Sequence, residues 1–254
     1  MDLELKGLSA VVTGGTRGIG RAIAAGFAAE GCNLAICARQ PGEVEDAAAA
    51  LRQTGVTVLG QALDVADHAA LTTFVQGAAA ALGGLDIVVA NVSAMASGVS
   101  PDAFRRSLEV DVLHTAALVT AAEPHLERSR APAIVAIASI SGVEDYGYDE
   151  AAYGALKAAL LFYVKSLSGH LARKGIRANV VSPGTTYFEG GFWHNVEQHD
   201  PELFTATIAK NPMGRMASPA DIANAVLFVA SPAASFITGA NLVVDGGFTR
   251  RVQN

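Results

Sequence analysis

The feature that most constrains the fold of this chain is a regular alternation of short apolar runs with longer helical patterns. The apolar runs are continuous and rich in Val, Ile and Ala, which is typical of parallel strands that are covered on both faces. Seven strands are predicted, over Leu8–Thr13, Asn33–Ala38, Val56–Ala62, Leu85–Ala90, Ala133–Ala138, Ile176–Ser182 and Asn241–Asp245.

Amphipathic patterns that predict helices lie between the strands. Ile19, Ile23 and Phe27 repeat at helical spacing directly after the first strand. Other helices are predicted over Gly42–Gln53, Asp67–Leu82, Pro101–Leu126, Glu150–Lys174 and Pro219–Ala230. Strand–helix alternation without a linker predicts an α/β fold, a single doubly wound Rossmann-type domain over residues 1–254. We expect a parallel sheet of about seven strands with helices on both faces.

One irregular segment interrupts this alternation, from Thr185 to Pro212. It is rich in aromatic side chains, although aromatic residues make up only 6% of the chain. A long insert between a strand and a helix of a compact domain is usually functional. We therefore predict that residues 185–212 form a lid over a binding site.

Composition excludes several classes of function. The net charge of −6 argues against a nucleic-acid partner, which calls for a basic face. The chain is 51% hydrophobic, but its longest apolar stretch, Ala131–Val143, is shorter than the roughly 20 residues that span a bilayer, so no membrane partner is predicted. Cys32 and Cys37 are the only cysteines and indicate buried thiols in a reducing cytoplasm. The six histidines show no metal-ligand spacing, so no metal is predicted.

The first strand ends in a glycine-rich turn, Thr13-Gly14-Gly15-Thr16-Arg17-Gly18-Ile19-Gly20, and a helix follows at once. Glycines allow positive φ and a close approach of the backbone to a phosphate, while a helix N-terminus presents free N–H groups and a positive dipole end. In this place the turn predicts a dinucleotide site. Its spacing, T-G-x-x-x-G-x-G, differs from the usual Rossmann fingerprint.

This spacing resembles that of the short-chain dehydrogenase/reductase family, and further motifs follow in the family's order over roughly Leu5 to Phe248. They are Asp64-Val65, Ser139, Tyr153-Gly154-Ala155-Leu156-Lys157, Ser182-Pro183-Gly184, Ile237-Thr238-Gly239 and Asp245-Gly246-Gly247. Within the family the chain is similar to 3-oxoacyl-carrier-protein reductases. The resemblance implies an oxidoreductase that transfers a hydride between nicotinamide and a carbonyl compound or secondary alcohol.

The resemblance implies that Ser139, Tyr153 and Lys157 are catalytic. Tyr153 and Lys157 are four residues apart on a predicted helix and so share one face. A free tyrosine has a pKa of about 10, so a cation such as the Lys157 ammonium is needed to stabilise its phenolate at neutral pH. By resemblance, Tyr153 is the acid in reduction and the base in oxidation, Lys157 also holds the nicotinamide ribose, and Ser139 hydrogen-bonds the substrate oxygen. Ser141, in the same turn, is the runner-up for the serine role.

The predicted cofactor contacts combine the glycine turn with motifs at later strand ends. They are Gly14, Thr16, Arg17, Gly18, Ile19, Gly20, Arg39, Asp64, Val65, Asn91, Tyr153, Lys157, Pro183 and Gly184. An acid at the end of the second strand would bind the ribose hydroxyls of NAD, but this strand ends in Cys37-Ala38-Arg39. Arg39 and Arg17 together suit a 2′-phosphate, so NADP(H) is favoured over NAD(H).

The segment after the fourth strand departs from the family pattern N-N-A-G, since it reads Asn91-Val92-Ser93-Ala94. We expect Asn91 to keep a local structural role, and the lost glycine to reshape the wall beside the nicotinamide. Where the family often has a threonine that contacts the nicotinamide amide, this chain has Phe188, which leaves Thr185 or Thr186 as substitutes.

A further departure is Asp111, which stands where the family has an asparagine that holds a water for the lysine. A carboxylate there favours the charged form of Lys157 and partly cancels its field at Tyr153. The sequence therefore predicts that Asp111→Asn lowers the pH at which activity appears. The alternative is that Asp111 simply accepts the same hydrogen bonds.

The substrate pocket is predicted to be lined by the lid together with Met95, Val143 and Tyr148. The aromatic side chains favour a small-molecule substrate that is an apolar ketone or a 3-oxoacyl-type compound. Phe192 and Trp193 could equally pack only the lid or a neighbouring subunit.

Two other functions stay open. One is an alcohol or sugar dehydrogenase that works oxidatively, and the other is a catalytically weak dinucleotide-binding sensor, an idea motivated by Asp111. The apolar composition, together with the habit of the family, predicts a homotetramer. Its interfaces are expected on the long helices Pro101–Leu126 and Glu150–Lys174.

Overall fold

A computed structural model describes residues 2–252 and contains one parallel sheet. Its strands are β1 (Ser9–Thr13), β2 (Asn33–Ala38), β3 (Val58–Ala62), β4 (Ile87–Ala90), β5 (Ala133–Ile137), β6 (Arg177–Pro183) and β7 (Asn241–Val244). The strand order is β3-β2-β1-β4-β5-β6-β7, and every neighbouring pair is parallel. The order reverses between β1 and β4, which opens a crevice at their carboxyl ends.

Nine α-helices accompany the sheet in the described residues. They are α1 (Gly18–Ala29), α2 (Pro41–Arg52), α3 (His68–Leu82), α4 (Pro101–Ser107), α5 (His114–Leu126), α6 (Ala151–Leu171), α7 (Phe192–His199), α8 (Pro201–Lys210) and α9 (Pro219–Ala230). The predicted α/β class, the parallel sheet of seven strands and the helices between them are confirmed. Within residues 2–252, no helix has both the length and the apolar character that crossing a bilayer requires.

The sheet is buried on both faces, as the continuous apolar strands predict. Along β1, Ala10 and Val12 pack into one apolar cluster with α1, α2 and α9, while Val11 packs into another with α3, α5 and α6. All three side chains are fully buried. The two clusters account for the apolar composition of this part of the molecule.

The predicted continuous helix over Pro101–Leu126 is divided by a wider π-helical segment, Leu108–Leu113. Ser100 caps the N-terminus of α4, because the Ser100 hydroxyl accepts a hydrogen bond from the N–H of Ala103 at 3.1 Å. π-helical turns often occur at functional sites. This one carries Asp111 in the interior of the protein.

The prediction of an irregular lid was wrong about its local structure, because α7 and α8 lie within residues 185–212. The second of these helices begins with a recognisable cap, since the Asp200 carboxylate accepts from the N–H of Leu203 and Pro201 follows directly. Both helices are short, with half of the residues of α7 and most of those of α8 exposed. They therefore lack the long apolar stripe by which a helix is recognised in a sequence.

Candidate active site

A cavity of about 1140 Å³ lies at the carboxyl ends of the strands. Thirteen of the fourteen predicted cofactor residues line it, and so does Ser139. Of the fourteen, only Gly18 is not among the lining residues. The topology thus brings together residues that are distant in the sequence, as expected at the reversal point of a doubly wound sheet.

The glycine turn between β1 and α1 forms a close-packed cradle. Gly18 has φ +54°, which side chains rarely adopt, and a Cβ built on Gly20 would lie 2.1 Å from the carbonyl oxygen of Gly14. Helix α1 has no side-chain cap at its N-terminus. Its first N–H groups therefore suit an anion such as a pyrophosphate, so the cradle fits the predicted dinucleotide.

Asn91 fixes the cradle to the neighbouring strand. Its side-chain amide donates to the carbonyl oxygens of Thr13 at 3.0 Å and of Gly14 at 3.4 Å. Its backbone N–H donates to the hydroxyl of Thr13 at 3.0 Å. These bonds join the ends of β1 and β4, which accords with the local structural role expected of Asn91.

Two arginines and two acids line the cavity near the glycine turn and the ends of β2 and β3. Arg17 and Arg39 both line it, both are exposed, and neither forms an ion pair with a carboxylate in residues 2–252. Sequence reasoning missed one acid here, Glu43, whose carboxylate accepts from the Thr16 hydroxyl at 3.3 Å. Asp64 also lines the cavity, with one carboxylate oxygen bound by the N–H of Ala66 at 3.0 Å.

Tyr153 and Lys157 project from the first turns of α6 into the same cavity. The Lys157 ammonium lies 5.6 Å from the centre of the Tyr153 ring. Tyr153 is half-buried, whereas Lys157 is only 2% exposed. The i, i+4 spacing thus places a buried cation beside a phenol that remains accessible from the cavity.

A buried ion pair holds Lys157. Its ammonium lies 2.9 Å from a carboxylate oxygen of Asp111 and donates to the carbonyl of Ile137 at 3.0 Å. The other Asp111 oxygen accepts from the N–H of Ala94 at 3.2 Å. Burial opposes the charge of Lys157, but the attraction of Asp111, aided by Tyr153, outweighs it and raises the lysine pKa.

His114, the residue directly after the π-helical segment, has a neutral, buried imidazole. His114 is fully buried, its Nδ1 lies 3.1 Å from the carbonyl oxygen of Val110, and its Nε2 has no hydrogen-bond partner in residues 2–252. Burial lowers its pKa to about 4. At neutral pH His114 therefore adds no charge beneath the cavity.

The two candidate serines have different environments. The Ser139 hydroxyl accepts from the N–H of Ser141 at 3.1 Å, and Ser139 is 8% exposed at the cavity wall. The Ser141 hydroxyl instead donates to the carboxylate of Glu150 at 3.1 Å. Ser139 therefore has its hydroxyl hydrogen available for a ligand, while that of Ser141 is engaged.

Phe188, which stands at the family's threonine position, packs against the glycine cradle. Its ring would lie only 2.5 Å from a Cβ on Gly18 and 2.8 Å from a Cβ on Gly191. The Thr186 hydroxyl donates to the carbonyl of Gly184 at 3.1 Å, so it is already satisfied. The Thr185 hydroxyl is buried at the cavity wall without a partner in the described part of the chain.

The wall of the substrate half differs in part from the prediction. Met95, Phe192 and Trp193 line the cavity as expected. The assignment of Val143 and Tyr148 was wrong: Val143 borders a separate, smaller cavity, and Tyr148 is 77% exposed and borders neither. The cavity is instead lined by two aromatic residues that were not predicted, Tyr146 and Phe248, whose ring centres are 6.0 Å apart. Their pairing joins positions 102 residues apart, which no local pattern could reveal.

Comparison with known proteins accords with this site. A family model described as enoyl-(acyl carrier protein) reductase matches residues 14–249. Isoepoxydon dehydrogenase patN of Penicillium expansum is 39% identical over 96% of this chain and 95% of its own length. The cis-4-hydroxycyclohexanecarboxylate dehydrogenase of Sinomonas cyclohexanicum is 36% identical over 94% of this chain and 96% of its own.

Among solved structures, L-sorbose reductase from Gluconobacter frateurii, complexed with NADPH and L-sorbose, has a TM-score of 0.91 to this chain. The two are 30% identical, and the match covers 99% of this chain and 100% of that one. The similarity thus extends over the whole sheet and over the residues that line the cavity. This chain belongs to the short-chain dehydrogenase/reductase family.

Proposed function

We propose that this protein is an NADP(H)-dependent oxidoreductase that interconverts a carbonyl compound and a secondary alcohol. The observation that carries the proposal is the meeting of Tyr153, Lys157 and Ser139 in one cavity with the glycine cradle. Bound NADP(H) supplies or accepts the hydride. A dinucleotide-binding sensor would need the cradle but not a tyrosine beside a buried lysine, so the enzyme is the better reading.

The proposed chemistry assigns each side chain one task. The Tyr153 hydroxyl donates a proton to the carbonyl oxygen in reduction and takes it back in oxidation. The Lys157 ammonium, held by Asp111, stabilises negative charge on the Tyr153 oxygen. The Ser139 hydroxyl donates a hydrogen bond to the substrate oxygen and keeps it beside Tyr153. Gly14, Ile19 and Gly20 of the cradle, with the first turn of α1, bind the pyrophosphate.

The preference for NADP(H) is proposed to depend on Arg39, with Arg17 as its partner. Arg39→Asp should weaken NADPH binding by about 10- to 100-fold relative to NADH, because a charge-assisted pair with the 2′-phosphate is replaced by repulsion. Dissociation constants for both nucleotides, from their fluorescence, measure the ratio. Arg105→Asp, the same charge change at an exposed residue of α4 that does not line the cavity and pairs only with Asp102, serves as the control. An unchanged ratio in Arg39→Asp would contradict the assignment.

The unpartnered hydroxyl of Thr185 is proposed to bind the nicotinamide carboxamide in place of a residue at position 188. Thr185→Val should weaken NADP⁺ binding about 2- to 10-fold, since one neutral hydrogen bond is lost without a change of shape. Binding of 2′-phospho-ADP-ribose, which lacks nicotinamide, should be unaffected. Thr186→Val is the matched control, because its hydroxyl bonds only to Gly184. Equal weakening of both ligands by Thr185→Val would reject the contact.

The substrate is proposed to be a cyclic secondary alcohol or the corresponding ketone. Support comes from the relative named for cis-4-hydroxycyclohexanecarboxylate and from the aromatic wall of Tyr146, Phe192, Trp193 and Phe248. Oxidation of NADPH with cyclohexanones, aryl ketones and 3-oxoacyl thioesters, and reduction of NADP⁺ with the matching alcohols and sugars, tests this. Nucleotide binding without turnover of any compound would favour the sensor instead.

We further propose a single domain with its substrate lid over residues 185–212, assembled as a homotetramer in the cytoplasm. The exposed side chains of Phe104, Leu108, Leu113 and Phe162, on the helices expected at the interfaces, support self-association.

The free thiols of Cys32 and Cys37 are buried, and burial raises both pKa values to about 12, which suits a reducing compartment. A mass of one chain in solution, or export of the protein, would contradict these assignments.

A further inference from the structure

A carboxylate that the proposed chemistry does not use stands at the wall of the main cavity. Glu150 ends the short 3₁₀ turn Tyr148–Glu150 and directly precedes α6, three residues before Tyr153. It lines the cavity together with Ser139, Ser141 and Tyr153, and with Ser141 it also borders the smaller neighbouring cavity. Its side chain is partly buried, so it is not simply a solvated surface charge.

The hydrogen bonds of Glu150 are incomplete. Within residues 2–252 its carboxylate receives one side-chain hydrogen bond, from Ser141, and forms no ion pair. Lys157, the cation closest to the chemistry, is already paired with Asp111. A carboxylate can accept about four hydrogen bonds, so Glu150 has acceptor capacity left for a ligand in the cavity.

Ser141 connects this acceptor to the reacting centre. Its N–H donates to the Ser139 hydroxyl, and its own hydroxyl donates to Glu150, both at 3.1 Å. A substrate whose reacting oxygen binds the Ser139 hydroxyl is therefore linked through Ser141 to the Glu150 carboxylate, which lines the same cavity. Such a carboxylate selects a donor on a carbon close to the reacting one.

Two cations of the cavity favour a neutral donor over an ammonium group, whereas its acids Glu43 and Asp64 already accept hydrogen bonds from Thr16 and Ala66. The cavity also carries Arg106 and Lys210, neither of which has a salt-bridge partner in the described residues. These two cations oppose the entry of an ammonium group, whereas the charge of Lys157 is already paired with Asp111. A hydroxyl group satisfies Glu150 without that repulsion.

We propose that Glu150, held by Ser141, accepts a hydrogen bond from a substrate hydroxyl on the carbon adjacent to the one oxidised or reduced. The natural substrates are then vicinal diols and α-hydroxyketones rather than simple alcohols and ketones. This inference rests on the proposed function and narrows its substrate class. Glu150 and Ser141 act in specificity, not in proton or hydride transfer.

The test compares trans-1,2-cyclohexanediol with cyclohexanol as substrates for NADP⁺ reduction. The native enzyme should prefer the diol by about 10- to 100-fold in kcat/KM, the usual range for a hydrogen bond to a charged group. Glu150→Ala should bring that preference close to unity through KM for the diol, with the cyclohexanol parameters nearly unchanged. Ser141→Ala should reduce the preference in part, because Glu150 is then less well oriented.

Two variants separate recognition from folding. Asp149→Ala removes the same charge from the adjacent exposed residue, which does not line the cavity, and should keep the preference. Glu150→Gln preserves the shape of the side chain and an acceptor oxygen for Ser141, and should lose part of the preference with an unchanged melting temperature. A structural role at the start of α6 would lower the melting temperature and leave the preference intact.

Several outcomes would overturn the inference without touching the proposed function. They are turnover of both alcohols without preference, a preference that survives Glu150→Ala, and a Glu150-dependent preference for trans-2-aminocyclohexanol over the diol. If no cyclic alcohol is turned over, the increase in melting temperature that the diol causes in the NADP⁺-loaded protein tests the subsite instead. Stabilisation by the diol that Glu150→Ala abolishes supports the subsite while the proposed reaction fails, and no stabilisation rejects the subsite as well.

Discussion

Replacing Tyr153 by phenylalanine should lower kcat by about 10²- to 10⁴-fold, the usual contribution of a positioned general acid or base. The ring stays in place above the Lys157 ammonium, so the change removes only the hydroxyl that is proposed to exchange the proton. NADPH affinity should change little, because the proposed cradle for the cofactor is untouched. Single-turnover oxidation of NADPH gives the rate, and nucleotide fluorescence gives the affinity.

The matched control is Tyr146→Phe. Tyr146 lines the same cavity and also loses one hydroxyl, but it lies against Phe248 rather than Lys157. We expect its kcat to stay within a few-fold of the native value. A Tyr153→Phe enzyme as active as Tyr146→Phe would remove Tyr153 from the chemistry.

Lys157→Met should destabilise the protein by about 3–5 kcal/mol as well as abolish turnover. The substitution leaves the fully buried carboxylate of Asp111 without its cation, and breaking a buried pair on one side is strongly unfavourable. The double variant Lys157→Met/Asp111→Asn should recover much of the lost stability and none of the activity. Urea unfolding of the native, single and double variants measures the coupling.

The pH dependence of the stabilisation by Lys157 decides at which pH the unfolding experiment should be done. The pKa of Lys157 is raised on folding, so its stabilisation is complete below the unfolded value of about 10.4 and is lost as pH rises through the folded value. Unfolding at pH 7 therefore captures the whole effect. Equal stability of the native and Lys157→Met proteins at that pH would mean that the pair contributes no net stability.

Asp111→Asn separates the electrostatic role of Asp111 from its hydrogen bonds. The amide oxygen can still accept from Lys157 or from Ala94, but the negative charge is gone, so the field of Lys157 at Tyr153 is no longer partly cancelled. The rising limb of the oxidation rate should then move to lower pH, because the phenolate forms more readily. An unchanged limb would reduce Asp111 to a hydrogen-bond acceptor.

The sequence was sufficient for those parts of the fold that depend on local pattern. Continuous apolar strands and the periodic helices between them predicted the sheet, and the glycine spacing with Tyr153 and Lys157 predicted which residues would meet at its edge. These features depend on strand ends, helical spacing and topology, which are regular. Asp111 could also be placed near Lys157, because its position in the helix matched a family residue.

The parts that escaped prediction depend on side-chain contacts without a local pattern or on short helices. The pairing of Tyr146 with Phe248 needs the end of the chain to fold back across the cavity, and the bond from Ser141 to Glu150 needs the turn before α6 to face that after β5. Helices α7 and α8 escaped because they are short and mostly exposed. In each case the side-chain types were visible, but nothing in the local spacing indicated their partners.

The packing of Phe188 between Gly18 and Gly191 makes three positions of the chain behave as one steric unit. A Cβ at 18 or 191 would lie less than 3.0 Å from the tip of the Phe188 ring, so the ring has to shift if either glycine changes. In a library that randomises all three codons, surviving variants should carry their changes together, with a small residue at 188 accompanying any larger one at 191. Substitutions at Phe188 in the proposed lid therefore have to be considered together with the glycine turn.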